Sequence, residues 1–315
     1  MNKELELFSD FDYKETNDTF LISYVLTNSC NLNCSYCIRY KKDTSKEVLT
    51  YINNFLKELD SFVKNNNIKK IHIRISGGEI TLFNDEVIYF LSKLIKLKYI
   101  TKIDLFSNGI NFSKKLIDYI NKIKFIKEIL VYITLHLEQI RNNENLFNKI
   151  IKNIESIKCE KSLMYICSLK NSKYFEKYFN ILKDFEYMPN VLNIDDSKKF
   201  IEKYNINLDN FYTLKTFNKN LQTCETLQKC ETLQKCESLN LIEIYDRFKF
   251  DFNNWVCCAG YNFIFYNKGT LYNCTSSIAN NKPLNEKLDT YKIHKNICKF
   301  KKCICEQSLN KFKIC

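Results

Sequence analysis

Three cysteines, Cys30, Cys34 and Cys37, lie within eight residues in the stretch TNSCNLNCSYC (27–37). A structural zinc site closes its tetrahedron with four protein ligands, usually in C-x2-C pairs, and no fourth cysteine or histidine stands near these three. Three thiolates on a 4Fe-4S cube instead leave one iron without a protein ligand. The spacing therefore favours an iron-sulfur cluster whose remaining iron binds a small molecule.

The bulk composition bears on the compartment and on possible partners. The 315 residues include 15 cysteines, and the sequence has no apolar N-terminal signal segment and no run of eighteen uncharged apolar residues. We therefore expect a soluble cytoplasmic protein without a membrane partner, where thiols serve metal or redox chemistry more often than disulfides. The net charge of +12 comes from lysines interspersed with acidic residues, so nucleic-acid binding is not expected.

The elements that must position the cysteines alternate in type along the chain. Longer amphipathic stretches, such as those at 45–65 and 85–98, separate short apolar runs that are typical of strands. The six predicted strands are 20–27, 70–76, 101–107, 128–136, 162–169 and 190–194. Six β-then-α units in series predict a parallel sheet, either an open doubly wound sheet or a partial barrel.

Chemistry in both architectures collects at the carboxyl ends of the strands. The candidate motifs obey that rule, because the three cysteines follow the first strand and SGGE (76–79) ends the second. SNG (107–109) ends the third strand, and His136 ends the fourth. We expect these motifs to meet at one edge of the sheet.

Changes in composition and hydrophobic pattern divide the chain into four parts. They are an N-terminal segment (1–19), the βα region (20–204), an insertion (205–248) and a small second domain (249–315). The insertion repeats CETLQK and is predicted to be helical. Its three cysteines would point to three sides of a helix, so a shared metal is not expected there. The last region combines aromatic strand-like pieces with six cysteines between 257 and 305.

The C-x3-C-x-aromatic-C pattern of Cys30, Cys34, Tyr36 and Cys37 resembles the signature of the radical S-adenosylmethionine (SAM) superfamily. The resemblance implies a partial (βα)6 TIM-like barrel over 20–204 and a 4Fe-4S cluster whose free iron chelates SAM. It also implies reductive cleavage of SAM to a 5′-deoxyadenosyl radical, which removes hydrogen from a substrate. A zinc site or a cluster of metal-free thiols is the alternative.

Further motifs match the family by position. SGGE resembles its GGE segment, in which Gly77 and Gly78 let the backbone approach SAM and Glu79 accepts hydrogen bonds from the ammonium group. Ile80 stands where many members carry proline. Considered alone, the segment would be an ordinary turn.

Four other strand-end or loop residues are candidates for contact with SAM. Ser107 and Asn108 would reach its ribose or carboxylate, and Tyr36 would pack beside the adenine. His136, which faces the same side as Thr134, would face the cofactor or substrate. The structural alternatives are an Asn-Gly turn, core packing of Tyr36 and a hydrogen-bonded structural histidine.

The stretch CCAGYNFIFYNKGTLYNC (257–274) resembles the entry of the auxiliary-cluster domains called SPASM or, when shortened, twitch. This implies a hairpin and one auxiliary 4Fe-4S cluster in a small α+β domain; Cys257 or Cys315 could replace one of its ligands, and a zinc knuckle is the alternative. Cys159 and Cys167, in the βα region, are expected to be small core residues. The candidate auxiliary ligands are Cys258, Cys274, Cys298, Cys303 and Cys305.

The resemblance implies an enzyme that acts on a peptide or protein, because relatives with such domains mostly modify peptides. It also implies a reducing partner such as flavodoxin or ferredoxin. The same chemistry on RNA or a small metabolite is one alternative. A non-catalytic zinc or iron-sulfur protein is another.

Overall fold

The computed structural model describes residues 19–35, 37, 43–140, 143–169, 172–182, 186–189, 194–205, 256–257, 260, 262–294, 296–297 and 311–312. Several sequence-based predictions lie outside these residues: Tyr36, the CETLQK repeat, and the cysteines at 258, 298, 303, 305 and 315.

Parallel strands and helices alternate through the first two thirds of the chain. The strands are β1 (Thr19–Thr27), β2 (Lys70–Gly77), β3 (Ile100–Ser107), β4 (Glu128–Leu135), β5 (Glu160–Cys167) and β6 (Glu186–Pro189). The helices are α1 (Ser45–Asn65), α2 (Asn84–Leu94), α3 (Lys114–Ile123), α4 (Leu137–Ile140), α5 (Glu144–Ser156), α6 (Ser172–Leu182) and α7 (Ile194–Tyr204). A 3-10 turn at Ile80–Phe83 precedes α2.

The remaining elements belong to the C-terminal region. They are β7 (Val256–Cys257), β8 (Phe263–Asn267), β9 (Thr270–Tyr272), α8 (Thr275–Ala279), β10 (Asn296–Ile297) and β11 (Lys311–Phe312). Within the described residues, no helix is long and apolar enough to cross a membrane.

One sheet organises most of the structure. Its strand order is β6-β5-β4-β3-β2-β1-β8-β9; β1 to β6 and β8 run parallel, whereas β9 is antiparallel to β8. Its edge strands β6 and β9 are not paired with each other in the described part of the chain, so the sheet is open. The prediction of an α/β partial barrel is confirmed.

Helix α1 illustrates how sequence sets an element that packs on the sheet. Thr44 caps its first turn in a capping box with Glu47, which satisfies backbone N–H groups that no helical carbonyl can reach. Apolar residues recur every three or four positions and form one buried stripe. That stripe is Val48, Ile52, Phe55, Leu59 and Phe62.

The sixth strand lies earlier than the sequence pattern predicts. Residues 190–193 of the predicted strand 190–194 lie outside the described residues; the described β6 is Glu186–Pro189, and Ile194 already begins α7. Residues 186–189 pair in parallel with β5, ending at the Cys167–Pro189 pair. Proline has no N–H to donate to a ladder, which suits it to the end of an edge strand.

The C-terminal hairpin extends the barrel sheet. Strand β8 pairs in parallel with β1, and β9 returns antiparallel to it, which confirms the predicted hairpin. Lys268 and Gly269 occupy the turn with positive φ angles of 53° and 82°, as a tight two-residue hairpin turn requires. Strands β10, β7 and β11 form a separate three-stranded antiparallel sheet. A distinct domain over 249–315 stays a prediction.

Candidate functional site

The site is built on the carboxyl ends of β1 to β4. The cysteine loop, defined as residues 28–42 between β1 and the capping residues of α1, leaves β1 at Thr27. The N–H of Gly78 donates to the carbonyl of Thr27 at 2.8 Å, and the N–H of Glu79 donates to the carbonyl of Ser29 at 2.8 Å. The end of β2 is therefore bonded directly to the start of the loop.

The two glycines of SGGE make this contact possible. A Cβ atom at Gly77 would lie 2.3 Å from the Thr27 carbonyl oxygen, and one at Gly78 would lie 2.1 Å from the Ser29 carbonyl oxygen. Both distances are far below van der Waals contact, so neither position has room for a side chain. In the structure, the backbone of these two glycines approaches the cysteine loop. Its approach to SAM stays a prediction.

Glu79 connects the ends of β2 and β3. Its side chain is buried, and its carboxylate accepts hydrogen bonds from Thr81 N–H (2.9 Å), Thr81 Oγ1 (2.5 Å), Ser107 Oγ (2.7 Å) and Asn108 N–H (2.7 Å). Burial raises its pKa, although these donors oppose the effect. The sequence did not indicate Thr81 as a partner. The role of Glu79 toward an ammonium group stays a prediction.

Asn108 brings the SNG motif to the cysteine loop. Its side-chain amide donates to Asn31 Oδ1 at 2.7 Å, immediately beside Cys30. Its own Oδ1 accepts from the N–H of Ile110, which fixes the amide orientation. Loop, β2 and β3 thus form one hydrogen-bonded unit, in agreement with the expectation that the motifs meet at one edge.

The three cysteines lie on a tight segment of the loop. Cys34 is buried, whereas Cys30 and Cys37 are half-buried. The Cys37 N–H donates to the Cys34 carbonyl at 3.1 Å, and the Leu32 N–H donates to Cys30 Sγ at 3.4 Å. Burial raises the pKa of the Cys30 thiol, and the Leu32 N–H opposes that shift.

The donor set suits an iron-sulfur cube. The site offers three thiols from one short segment, and one of them already accepts a hydrogen bond from a backbone N–H. Thiolate ligands and hydrogen bonds to their sulfur atoms are both found around such clusters. No group of three or more Cys, His, Asp or Glu side chains among the described residues can hold a single metal ion. A cube allows a wider spacing of the three sulfurs than a single ion does, because each thiolate binds a different iron atom.

Two residues of α4, not predicted from the sequence, hold the loop from the β4 side. The Glu138 carboxylate accepts from the Ser35 N–H (3.1 Å) and from Ser35 Oγ (2.9 Å). The Gln139 side chain accepts from the Asn33 N–H (3.3 Å) and donates to the Asn33 carbonyl (2.9 Å). No local sequence signal marks these contacts, which join residues more than 100 positions apart.

His136 lies between β4 and α4 at the same edge of the sheet. Its carbonyl accepts from the N–H groups of Gln139 and Ile140 and begins the helical turn. Burial lowers the pKa of its imidazole to about 4, so the ring is neutral at neutral pH. A contact with cofactor or substrate stays a prediction, as it does for Ser107 and Asn108.

Cys274 is the predicted auxiliary ligand whose side chain the structure describes. It is 5% exposed, directly precedes α8, and its Sγ lies 3.4 Å from Ser277 Oγ. The backbone of Cys257 belongs to β7. Cys159 and Cys167 are buried in the main core, as expected.

Comparison with known proteins agrees with this geometry. The family model of the radical SAM superfamily matches residues 24–167, from β1 to the end of β5. The chain contains a radical SAM domain. The match includes all three loop cysteines and the SGGE and SNG motifs.

A curated relative supports the radical SAM assignment. Over 224 residues the chain is 25% identical to the radical SAM cyclopropyl synthase TigE of Paramaledivibacter caminithermalis. The match covers 60% of this chain and 47% of TigE, so the chain spans about half the length of that relative.

Solved structures share the fold seen here. Native anSMEcpe with bound AdoMet matches with a TM-score of 0.50 at 17% identity, covering 86% of this chain and 78% of that one. A histidine-tagged form of anSMEcpe with bound AdoMet gives a TM-score of 0.50 at 16% identity, covering 86% of this chain and 75% of that one. At these identities the likeness concerns the fold alone.

Proposed function

We propose that this chain is a radical SAM enzyme in which Cys30, Cys34 and Cys37 hold a 4Fe-4S cluster that binds SAM. When bound, this cluster and SAM supply reductive cleavage of the sulfonium to a 5′-deoxyadenosyl radical that abstracts hydrogen from substrate. The observation that carries the proposal is the direct bonding of the cysteine loop to the ends of β2 and β3.

The protein's own residues would orient SAM and restrict its access to water. Gly77 and Gly78 keep the end of β2 against the loop, and the neutral His136 ring can accept or donate a hydrogen bond without adding a positive charge beside a sulfonium. Glu79 fixes Ser107 and Asn108 at the end of β3, where they would face the ribose or carboxylate.

Anaerobic reconstitution of the full chain with iron and sulfide tests the proposal. With a strong reductant and SAM, the native protein is expected to form 5′-deoxyadenosine and methionine, measured by mass spectrometry. Cys34→Ala removes one of three cluster ligands and is expected to lower this product at least about 100-fold, because ligand loss removes the cofactor and its chemistry.

Cys159→Ala provides the matched control, since it removes a buried thiol that lies in the core and outside the loop. It is expected to keep the iron content and the activity. Native protein that binds zinc and forms no deoxyadenosine would instead support a metal-binding protein without catalysis.

We further propose one auxiliary 4Fe-4S cluster in the C-terminal region, with Cys274 among its ligands. The other candidates are Cys258, Cys298, Cys303 and Cys305, with Cys257 or Cys315 as a replacement. Cys274→Ala is then expected to lose about half of the iron while the SAM-dependent signal of the first cluster persists. Full iron retention would contradict an auxiliary role for Cys274.

We propose a peptide or protein as the substrate and a flavodoxin or ferredoxin as the electron donor in the cytoplasm. The support is the sequence resemblance to radical SAM enzymes with auxiliary domains, which mostly modify peptides. A small peptide encoded beside this gene is the first substrate to test. Substrate-dependent formation of 5′-deoxyadenosine, with a mass change in the peptide, is the expected result.

A further inference from the structure

A single carboxylate joins the two ends of the cysteine loop. Asp43, which directly follows the loop, accepts from Thr27 Oγ1 at 2.8 Å and from the Asn28 N–H at 2.7 Å. Its own N–H donates to Ser29 Oγ. The residues at the start of the loop are therefore hydrogen-bonded to the residue that follows its end. These bonds hold the two ends of the loop together.

The partner of this carboxylate comes from the C-terminal hairpin. Lys268, in the β8–β9 turn, donates to Asp43 Oδ1, and its ammonium lies 5.5 Å from the centre of the Tyr51 ring. The Asp43 side chain is only 3% exposed and that of Lys268 is 21% exposed. Exposed ion pairs contribute little, but removing one partner of a buried pair leaves an uncompensated charge.

The hairpin holds Lys268 at a fixed place relative to the loop. Strand β8 pairs with β1 up to the Val25–Asn267 pair, so the turn begins beside the last residues of β1. Both turn residues have positive φ, as in a type I′ turn, the two-residue turn whose twist matches paired strands. The lysine is thus presented by main-chain pairing and not by a long mobile segment.

The charge state of Asp43 agrees with this arrangement. Burial opposes ionisation of its carboxyl group, but hydrogen bonds from Lys268, Asn28 and Thr27 outweigh burial and hold its pKa below the usual value. The carboxylate is therefore charged at neutral pH and attracts the ammonium.

We propose that Asp43 and Lys268 are positioning residues through which the C-terminal hairpin holds the cysteine loop in the conformation that binds SAM. This inference rests on the proposed function, since it concerns the same SAM site. Neither residue touches a cysteine in the contacts described above, so both act through Thr27, Asn28 and Ser29. The hairpin would thereby link the C-terminal region to the first cluster.

The test compares Lys268→Met with Lys268→Arg in the full chain. Lys268→Met keeps much of the side-chain length without the charge, whereas Lys268→Arg keeps the charge. Lys115→Met is the matched control, because Lys115 also pairs with an aspartate, Asp85 at 2.6 Å, but both side chains are more than 70% exposed. Thermal unfolding of each variant establishes that it folds.

Two readouts separate loop position from activity. In metal-free protein, amide hydrogen exchange of residues 28–37 is expected to be about tenfold faster in Lys268→Met than in native protein. This corresponds to a loss of about 1.4 kcal/mol in the free energy of local opening of the loop. In reconstituted protein, the SAM dissociation constant, followed by the change that SAM causes in the reduced-cluster EPR spectrum, is expected to rise about tenfold. Lys268→Arg and Lys115→Met are expected to stay within about twofold of native in both measurements.

Unchanged exchange in Lys268→Met, or faster exchange with unchanged SAM affinity, would overturn the inference. If Lys268→Met does not fold, Asp43→Asn, which keeps the side-chain size, gives the same two readouts and is expected to change them in the same direction. Native protein that binds no SAM would refute the proposed function instead, and the exchange measurement would still decide whether the pair holds the loop.

Discussion

The two faces of the sheet differ sharply in chemistry. On the outer face Ile71, Ile73 and Ile75 of β2 are buried in one large apolar core with residues of the helices. The alternate residues of the same strand face the other way and include His72 and Arg74. One strand therefore serves packing on one side and carries charge on the other.

The inner face holds a buried ionic group. Asp104 of β3 is fully buried, with His72 Nε2 2.8 Å and Arg74 Nε 3.5 Å from its carboxylate. Next along the same face, the Phe106 and Tyr132 rings stack with centroids 4.4 Å apart, in an apolar cluster separate from the main core. Burial of charge is costly, so this face is not optimised for packing alone. The comparison indicates that the outer face supplies packing stability, whereas the inner face carries a buried ionic group.

The largest expected effect on stability is on the outer face. Phe55 is fully buried, and its ring lies 4.7 Å from Tyr24 and 4.9 Å from Tyr266 between centroids. Phe55→Ala is expected to lower the free energy of unfolding by about 3–5 kcal/mol, because it removes apolar contacts and leaves a cavity. Denaturant unfolding measures this loss. Phe125→Ala is the control, since Phe125 is 83% exposed and is expected to change stability by less than about 0.5 kcal/mol.

On the inner face, the free energy of unfolding should depend on side-chain charge and not on side-chain volume. Asp104→Asn is expected to cost about 3 kcal/mol, because it removes the negative partner of His72 and Arg74 without changing side-chain size. The double variant Asp104→Leu with Arg74→Met removes both charges, and it is expected to be closer to native stability than Asp104→Asn. A double variant less stable than Asp104→Asn would show that the ionic group stabilises the sheet by itself.

The third effect concerns pH and is absent at neutral pH. His136 continues the inner face beyond β4, and its pKa of about 4 lies below the usual value for an unfolded chain, near 6.5. The unfolded chain therefore binds more protons between these values, so stability falls as pH decreases from about 6.5 to about 4, by at most about 1.4 kcal/mol per pH unit. In His136→Gln this part of the pH dependence is expected to disappear. An unchanged slope in unfolding measurements would show that other groups cause it.

Local patterns were sufficient to predict most of the barrel. Helix α1 has the predicted bounds, 45–65, because its cap and its apolar period agree. The predicted helix at 85–98 ends at Leu94, where the chain turns toward β3. The described sixth strand precedes the one predicted at 190–194, whose last residue, Ile194, begins a helix; a short apolar run also suits the start of a helix.

The site was predictable only where short motifs carry it. SGGE and SNG were identified from their sequence and their places at strand ends, and they do meet the cysteine loop. Glu138, Asp43 and Lys268 were not identified, because their contacts join distant positions and no local pattern specifies such a partner. The same reason applies to the edge at which the hairpin β8–β9 joins the sheet.

The position of β8 beside β1 has a consequence for biosynthesis. Lys268 follows Asp43 by 225 residues, so a ribosome adds more than 200 residues after the first strand before that strand gains its second neighbour. Until then one edge of that strand carries unsatisfied backbone groups, which are a template for wrong pairing. Delivery of iron and sulfide to the nascent protein should therefore succeed only after β8 has been synthesised.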